Sequence, residues 1–207
     1  MFLGIRYEKH PIDCFLVSFA FAGSAFAAGD AASGKEKSAT CAGCHGMDGN
    51  AATPTFPKIA GQGEGYLYKQ LMEFKSGKRA NATMMAMVAA LSEQDMADLA
   101  AFYASQTGKS GKAAEDQVEL GQAIYRAGNE GSGVAACAAC HGPTGAGNPQ
   151  ARFPKLSGQH ADYTVAQLKS FAKGERANDA GSMMRVVAGK MSEAEMIAVA
   201  QYIQGLR

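Results

Sequence analysis

The sequence has no tryptophan, no run of basic residues and almost no net charge. Its 20 lysines and arginines are offset by 19 aspartates and glutamates, which leaves a net charge of +1. Binding to a nucleic acid backbone needs a basic surface, and the sequence shows neither that nor arginines interleaved with aromatic residues. We therefore expect no nucleic-acid partner. The hydrophobic content of 47% predicts a globular chain.

Long hydrophobic runs are missing after the N-terminal segment. Residues 1–27 combine two basic residues with an apolar run from Cys14 to Phe26, and they end in the small-x-small pattern Ala25-Phe26-Ala27. These features predict a secretory signal peptide that is cleaved after Ala27. A retained anchor is the alternative, but the run is shorter than the roughly 20 residues of a spanning helix. We predict a periplasmic protein with no membrane span in the mature chain, and peripheral membrane association is left open.

Histidine is scarce, and two of the four histidines directly follow a pair of cysteines. The two copies of this pattern are Cys41-Ala42-Gly43-Cys44-His45 and Cys137-Ala138-Ala139-Cys140-His141. Cys-x-x-Cys-His is the attachment signal of c-type haem. Its two thiols bond to the haem vinyl groups, and its histidine binds the iron. The sequence therefore predicts two covalently bound haem c groups.

Two other readings of paired cysteines fit the sequence less well. A zinc site needs further cysteine or histidine ligands, and only His10 and His160 remain outside the motifs. A thioredoxin-like pair needs a strand followed by a helix, and no alternating strand pattern occurs in this sequence. Haem attachment is the interpretation that accounts for both copies.

The sequence contains an internal repeat, in which one module occurs twice. Phe56-Pro57-Lys58 is repeated as Phe153-Pro154-Lys155, and Leu91-Ser92-Glu93 is repeated as Met191-Ser192-Glu193. The copies are offset by 96 residues at the cysteines, 97 at the Phe-Pro-Lys segments and 100 at the last match, so the insertions fall between helices. We place the modules at residues 28–110 and 111–207, joined by a polar linker that contains glycine.

Each module is predicted to be helical throughout. One helix leads into the first cysteine, at residues 30–40 and 117–128. A second follows the Phe-Pro-Lys segment, where apolar residues recur at steps of three and four between Tyr66 and Phe74. A third begins at Ser92 or Ser192 with a near-match to a capping box. The predicted fold class is all-α, in two tandem domains related by the repeat.

The methionines supply candidates for the sixth iron ligand. Eleven are present, including the doublets at 84–85 and 183–184, and most methionines only fill a core. Aligning the last helices of the two modules pairs Met84 with Met184, and only this pair is methionine in both copies. We predict that these two are the axial ligands, with Met85 and Met183 as the fallbacks.

Three further features are assigned from their positions. The carbonyl groups of Pro57 and Pro154 are candidates to accept a hydrogen bond from the proximal histidine, although a simple loop corner fits equally well. Tyr66 and its counterpart Tyr163 are candidates for contact with a haem propionate or for helix packing. His160 is expected to be an exposed residue at a helix start.

These motifs, over essentially the whole mature chain, resemble the cytochrome c4 family of two-haem proteins. The resemblance rests on both Cys-x-x-Cys-His motifs, on Phe56-Pro57-Lys58-Ile59-Ala60-Gly61-Gln62 with its second copy, and on the chain ending Tyr202-Ile203-Gln204-Gly205-Leu206. It implies two class I cytochrome c domains whose haems face each other through propionate contacts. The departure from the repeat is Met191, which stands where module one has Leu91.

The resemblance also implies an activity and a set of site residues. It implies an electron carrier, not an enzyme, that passes single electrons from a cytochrome bc1 complex or a small copper protein toward a terminal oxidase. The residues implied for covalent haem attachment are Cys41, Cys44, Cys137 and Cys140, and those implied for axial binding of iron are His45, Met84, His141 and Met184. The alternatives are a two-haem peroxidase, which needs an open iron position, and a subunit held permanently at a membrane complex.

Overall fold

The computed structural model describes residue 1 and residues 28–207. The predicted signal peptide therefore lies outside the described residues, apart from Met1. The described part of the chain is all-α, as the sequence predicts, and its only β pairing is two isolated bridges, Asn129–Val134 and Asn148–Phe153. The helices of module one are α1 Ala31–Lys37, α2 Ala39–His45, α3 Glu64–Lys75, α4 Ala82–Val88 and α5 Glu93–Ala104. Those of module two are α6 Glu115–Ala127, α7 Ala138–His141, α8 Ala161–Ala172, α9 Met183–Ala188 and α10 Glu193–Gly205.

The most extensive packing between helices joins the first and last helices of each module. In module one α1 crosses α5 at Gly34, where an added Cβ would lie 2.0 Å from the carbonyl oxygen of Asp98. In module two α6 crosses α10 at Gly121, where the same atom would lie 2.2 Å from the oxygen of Ala198. Only glycine permits backbones to approach this closely. These crossings set the frame that holds the shorter helices.

The last helix of each module begins with a complete capping box. Ser92 accepts a hydrogen bond from the backbone of Asp95, and the Asp95 carboxylate accepts one from the Ser92 backbone. Ser192 and Glu195 form the same pair at the start of α10. Each box satisfies two of the N–H groups that a helix start leaves unpaired. The predicted starts of both helices are confirmed.

Each module has its own hydrophobic core. The core of module one is built by α3 and α5 and contains Leu67, Leu99, Ala100, Phe102 and Tyr103. The core of module two is larger and is built mainly by α6, α8 and α10. Met191, the residue that departs from the repeat, is 8% exposed and belongs to this second core. It therefore packs the module as a hydrophobic side chain.

The structure differs from the predicted helices in four places, one of which is the short helix α7, which no sequence pattern indicated. The single helix predicted over residues 30–40 is two, because the chain turns at Ser38 between α1 and α2. The short helices α4 and α9 were missed, since six or seven residues rich in methionine carry no clear helical period. No helix within residues 28–207 is long and apolar enough to cross a membrane.

Candidate haem sites

The cysteines lie on short helices that end at the histidine of each motif. Cys41 and Cys44 lie on α2, while Cys137 caps α7 and Cys140 lies within it. None of these four is in a disulfide. Burial raises the pKa of the Cys41 thiol and raises that of Cys137 to about 11. Burial therefore disfavours the thiolate form of both side chains.

The described residues also contain no alternative metal site built from cysteine, histidine and carboxylate. No group of three such side chains lies close enough to hold an ion. Within residues 28–207, the cysteine pairs are therefore not part of a cluster of three metal-ligating side chains.

The histidines of the two Cys-x-x-Cys-His motifs are held in one tautomer. The Nδ1 atom of His45 lies 2.9 Å from the carbonyl oxygen of Pro57, and that of His141 lies 2.9 Å from the oxygen of Pro154. A carbonyl only accepts, so Nδ1 carries the proton and Nε2 keeps its lone pair. Both rings are buried, and burial lowers the pKa of each. A neutral imidazole with a free Nε2 is the form that binds a metal.

A pinned loop brings each proline carbonyl to its histidine. The chain leaves α2 at Gly46, which has a φ of +80°, and returns so that the backbone N–H of Ile59 donates to the Gly49 oxygen at 2.8 Å. In module two the N–H of Leu156 donates to the Gly145 oxygen over the same distance. The Phe-Pro-Lys segment therefore has a fixed position beside the motif, with its proline carbonyl against the histidine ring.

The three methionines of α4 differ in how far their side chains are buried. Met84 is half-buried, whereas Met85 and Met87 are 40% and 41% exposed. The helix starts at Asn81, whose side chain accepts from the Met84 backbone N–H at 2.9 Å. The cap fixes which residue of the methionine-rich segment faces inward. The inward residue is the one that the alignment of the repeats selects.

Module two distinguishes its methionine doublet in the same way. Met184 packs against the core of the module, and Met183 is 41% exposed. Three extra residues precede this helix and form the 3-10 turn Ala180–Ser182. Asp179 holds the helix start by accepting from the backbone and the guanidinium of Arg185, at 3.0 and 2.8 Å. The two modules thus place equivalent methionines with different capping residues.

Two arginines meet in a buried cluster between the modules, and each reaches into the opposite one. Arg79 donates to Tyr163 at 2.9 Å and to Gln167 at 3.0 Å. Arg176 donates to Tyr66 at 3.1 Å and to Gln70 at 3.2 Å. Both guanidiniums are less than 10% exposed. We refer to these six residues as the arginine seam.

The arginine seam has more donors than acceptors. Neither guanidinium pairs with a carboxylate within residues 28–207, and the buried Nε2 of Gln70 has no hydrogen-bond partner there. Burial raises the pKa of Tyr66, but the positive charges of Arg176 and Arg79 outweigh it and lower that pKa. Buried positive charge needs an anionic partner. A haem carries propionate carboxylates, so the seam fits that group.

The seam is not fully symmetric. Asn178 is buried and donates to Gln70 at 2.9 Å and to Glu73 at 2.6 Å, although its counterpart Asn81 is an exposed helix cap. Glu73 is 7% exposed and also binds Lys69, while module two has Ser170 at this position. Module one therefore carries a buried carboxylate that module two lacks.

A second set of contacts joins the modules through two glutamines. Gln159 accepts from the backbone N–H of Lys58 at 2.9 Å and donates to the Lys58 oxygen at 2.8 Å. Gln62 makes the same two contacts with Lys155, at 2.7 and 2.9 Å. We call these contacts the glutamine bridges. They fix the relative position of the Phe-Pro-Lys segments.

Sequence reasoning missed part of this interface. His160 was expected to be exposed, but it is partly buried, and its Nε2 donates to the Ala51 oxygen of the other module at 2.7 Å. Tyr66 and Tyr163 bind the arginines of the opposite module. The available signal was the repetition of two polar segments, Gly61-Gln62 as Gly158-Gln159 and Arg79-Ala80-Asn81 as Arg176-Ala177-Asn178. Repetition alone does not indicate which module each of these side chains contacts.

Comparisons with known proteins agree with this geometry. The protein-family model for cytochrome c matches residues 31–107 and again residues 118–207. The chain is 46% identical to cytochrome c4 of Azotobacter vinelandii over 201 residues, covering 92% of this chain and 96% of that one. It is also 46% identical to cytochrome c4 of Pseudomonas aeruginosa, with the same coverage of each chain.

A solved structure has the same fold. The crystal structure of reduced recombinant cytochrome c4 from Pseudomonas stutzeri superimposes with a TM-score of 0.85 at 46% identity. The match covers 87% of this chain and all of the other. The two helical modules, and not only the separate motifs, are therefore similar to those of that protein.

Proposed function

Because the chain belongs to the cytochrome c4 family and carries two covalently bound haem c groups as an electron carrier, we propose that it is a periplasmic shuttle in a respiratory chain. Its donor is a cytochrome bc1 complex or a small copper protein, and its acceptor is a terminal oxidase. The N-terminal segment directs export and is removed after Ala27. Residues 28–110 and 111–207 form the two haem domains.

We assign the haem ligands residue by residue. The thiols of each motif bond to one haem, and the histidine and the inward-facing methionine of the same module bind its iron. The residues proposed for covalent attachment are Cys41, Cys44, Cys137 and Cys140, and the residues proposed as axial ligands are His45, Met84, His141 and Met184. The observation that carries this assignment is the Nδ1 contact of each buried histidine with a proline carbonyl, which leaves Nε2 free.

The haem supplies one-electron redox chemistry, and the chain sets its conditions. Burial excludes water from the histidines, and a thioether ligand raises the reduction potential. The histidine and the methionine of one module, both bound to the same iron, would leave no position open to substrate. The arginine seam supplies buried positive charge for the propionates. These roles suit transfer of single electrons, so we propose that the protein is not an enzyme.

The test is an optical redox titration of the mature protein, with the haem counted per chain and carbon monoxide added to the reduced form. We expect two low-spin haems, both reducible at positive potential and neither binding carbon monoxide. A haem that binds carbon monoxide readily has an open iron position, and that result would contradict the shuttle. Reduction by the purified donors and oxidation by the oxidase, measured separately by stopped flow, test the proposed partners.

A further inference from the structure

The glutamine bridges end on the peptide groups that also hold the proximal histidines. The carbonyl of Pro57 accepts from His45, and the N–H of Lys58 donates to Gln159. These two groups belong to one peptide unit, Pro57–Lys58. The histidine of module one is thus linked to a side chain of module two through a single peptide. In module two, Pro154–Lys155 links His141 to Gln62 in the same way.

Each glutamine amide is held so that its oxygen faces this peptide. The Oε1 atom of Gln159 also accepts from the backbone N–H of His160 at 3.0 Å, and its Nε2 donates to the Lys58 carbonyl. The Oε1 atom of Gln62 also accepts from Gly63 at 2.9 Å. Since N–H groups only donate and carbonyls only accept, the amide orientation is fixed by its partners. The oxygen cannot turn away without breaking three hydrogen bonds.

An acceptor at the N–H of a peptide strengthens the carbonyl of that peptide. Hydrogen bonds in a chain polarise one another, by about 10–30% per bond. Electron density drawn toward the Pro57 oxygen makes it a better acceptor for the Nδ1 proton of His45. A stronger bond at Nδ1 raises the basicity of Nε2, which is the general effect of outer partners on a histidine ligand.

We propose that Gln159 and Gln62 are positioning residues that tune the proximal histidine of the opposite module, so that each haem potential depends on the module that does not bind that haem. This rests on the proposed ligation of iron by His45 and His141. A more basic ligand stabilises the oxidised iron, so each glutamine lowers the potential of the haem across the seam. The effect runs crosswise, which a purely local or purely structural role does not produce.

The experiment replaces one glutamine at a time in the full-length haem-loaded protein. Gln159→Met removes the acceptor at Lys58 and keeps the side-chain length, and Gln62→Met does the same for Lys155. Gln106→Met is the matched control, because the Gln106 amide also binds backbone, at the Phe102 oxygen, but contacts neither peptide. The two haem potentials are measured by a redox titration followed by proton NMR, in which each haem is assigned through contacts with its own module.

The expected result is a crosswise shift. Gln159→Met raises the potential of the module-one haem and leaves the module-two haem unchanged, and Gln62→Met does the reverse. In the reduced protein the Nδ1 proton of the affected histidine moves upfield, because its hydrogen bond is weaker. The control moves neither potential. Gln159→Glu keeps an acceptor beside Lys58, so its module-one potential is expected to lie below that of Gln159→Met.

Other results separate this inference from the proposed function. If each variant shifts the haem of its own module, or shifts both equally, or shifts neither, the crosswise tuning is wrong. The low-spin spectra would then still support the shuttle. If the unmodified protein lacks two low-spin haems, the proposed function itself has failed. Should Gln159→Met not fold, Gln159→Glu and Gln62→Glu take its place, and the same crosswise pattern with lowered potentials is required of them.

Discussion

Replacing Gly34 by alanine is expected to destabilise module one. At this position α1 lies against α5, and the new Cβ would be 2.0 Å from the Asp98 oxygen and 2.8 Å from the Phe102 Cβ. The first of these atoms belongs to the backbone and has no rotamer by which to move away. The helices must therefore separate by about 1 Å, since Cβ atoms essentially never approach closer than 3.0 Å.

The size of the effect follows from two opposing contributions. Overpacking of a tight contact costs about 1–3 kcal/mol. Alanine in a helix is favoured over glycine by about 0.5–1 kcal/mol, which offsets part of that cost. The net loss in the free energy of unfolding is about 1 kcal/mol, within a range of roughly 0–2.5 kcal/mol, and a loss of about 1 kcal/mol lowers the ratio of folded to unfolded module by a factor of about 5.

Equilibrium unfolding in guanidinium chloride, followed by far-ultraviolet circular dichroism, measures this loss. Gly43→Ala is the matched control, because Gly43 lies in α2 and has no atom within 4 Å of an added Cβ. The control gains helix propensity without a clash, so it is expected to be as stable as the parent or more so. A Gly34→Ala protein as stable as this control would refute the reasoning from helix contact.

Three further predictions concern the sites and the seam. Met84→Ala is expected to lower the potential of the module-one haem alone in a redox titration, while Met85→Ala, on the exposed side of α4, changes neither potential; equal shifts of both haems by Met84→Ala would contradict the assignment. Burial raises the pKa of Glu73, but Lys69 and other partners outweigh it, so the net pKa is lowered. The Glu73 carboxylate therefore contributes stability above its unfolded pKa of about 4.3, and this contribution is lost as the pH falls through its lower folded pKa. In acid denaturation curves, the difference in stability between the parent protein and Glu73→Gln must therefore shrink as the pH falls. Asn178→Ala removes a buried donor to that carboxylate and is expected to cost about 1–3 kcal/mol in thermal unfolding. The loss must be smaller when Glu73→Gln is already present, because only the contacts of Asn178 with Gln70 and Arg176 then remain at full strength.

The sequence was sufficient for the parts of the molecule that depend on local patterns. The motifs at Cys41 and Cys137 specify covalent chemistry by spacing alone, and the capping box at Ser92 marks a helix start. Comparison of the two copies picked out Met84, which is the half-buried methionine of α4. In each case, the information lies within a few residues or within the repeat itself.

The contacts between modules were not predictable, since they depend on how two folded units meet. Asn81 and Asn178 occupy the same place in the repeat, yet one caps a helix and the other is buried in the seam. The cause is the insertion before α9, which gives the helix start to Asp179 and frees Asn178 for the interface. Similarly, nothing in the sequence around Gln62 and Gln159 indicates that their partners are backbone groups of the other module.

The polar character of the interface determines what kind of motion it allows. Two separate cores are joined by directional hydrogen bonds, and an apolar contact of the same area would tolerate sliding and rotation. The Gln62 amide binds both the N–H and the C=O of Lys155. Because hydrogen bonds are directional, these two bonds can form together in only one relative position of the two segments. With Gln159 doing the same at Lys58, two fixed points define an axis, and the arginine seam supplies further points away from it. These contacts favour one mutual orientation of the two halves, which would hold the two proposed haem sites at one separation.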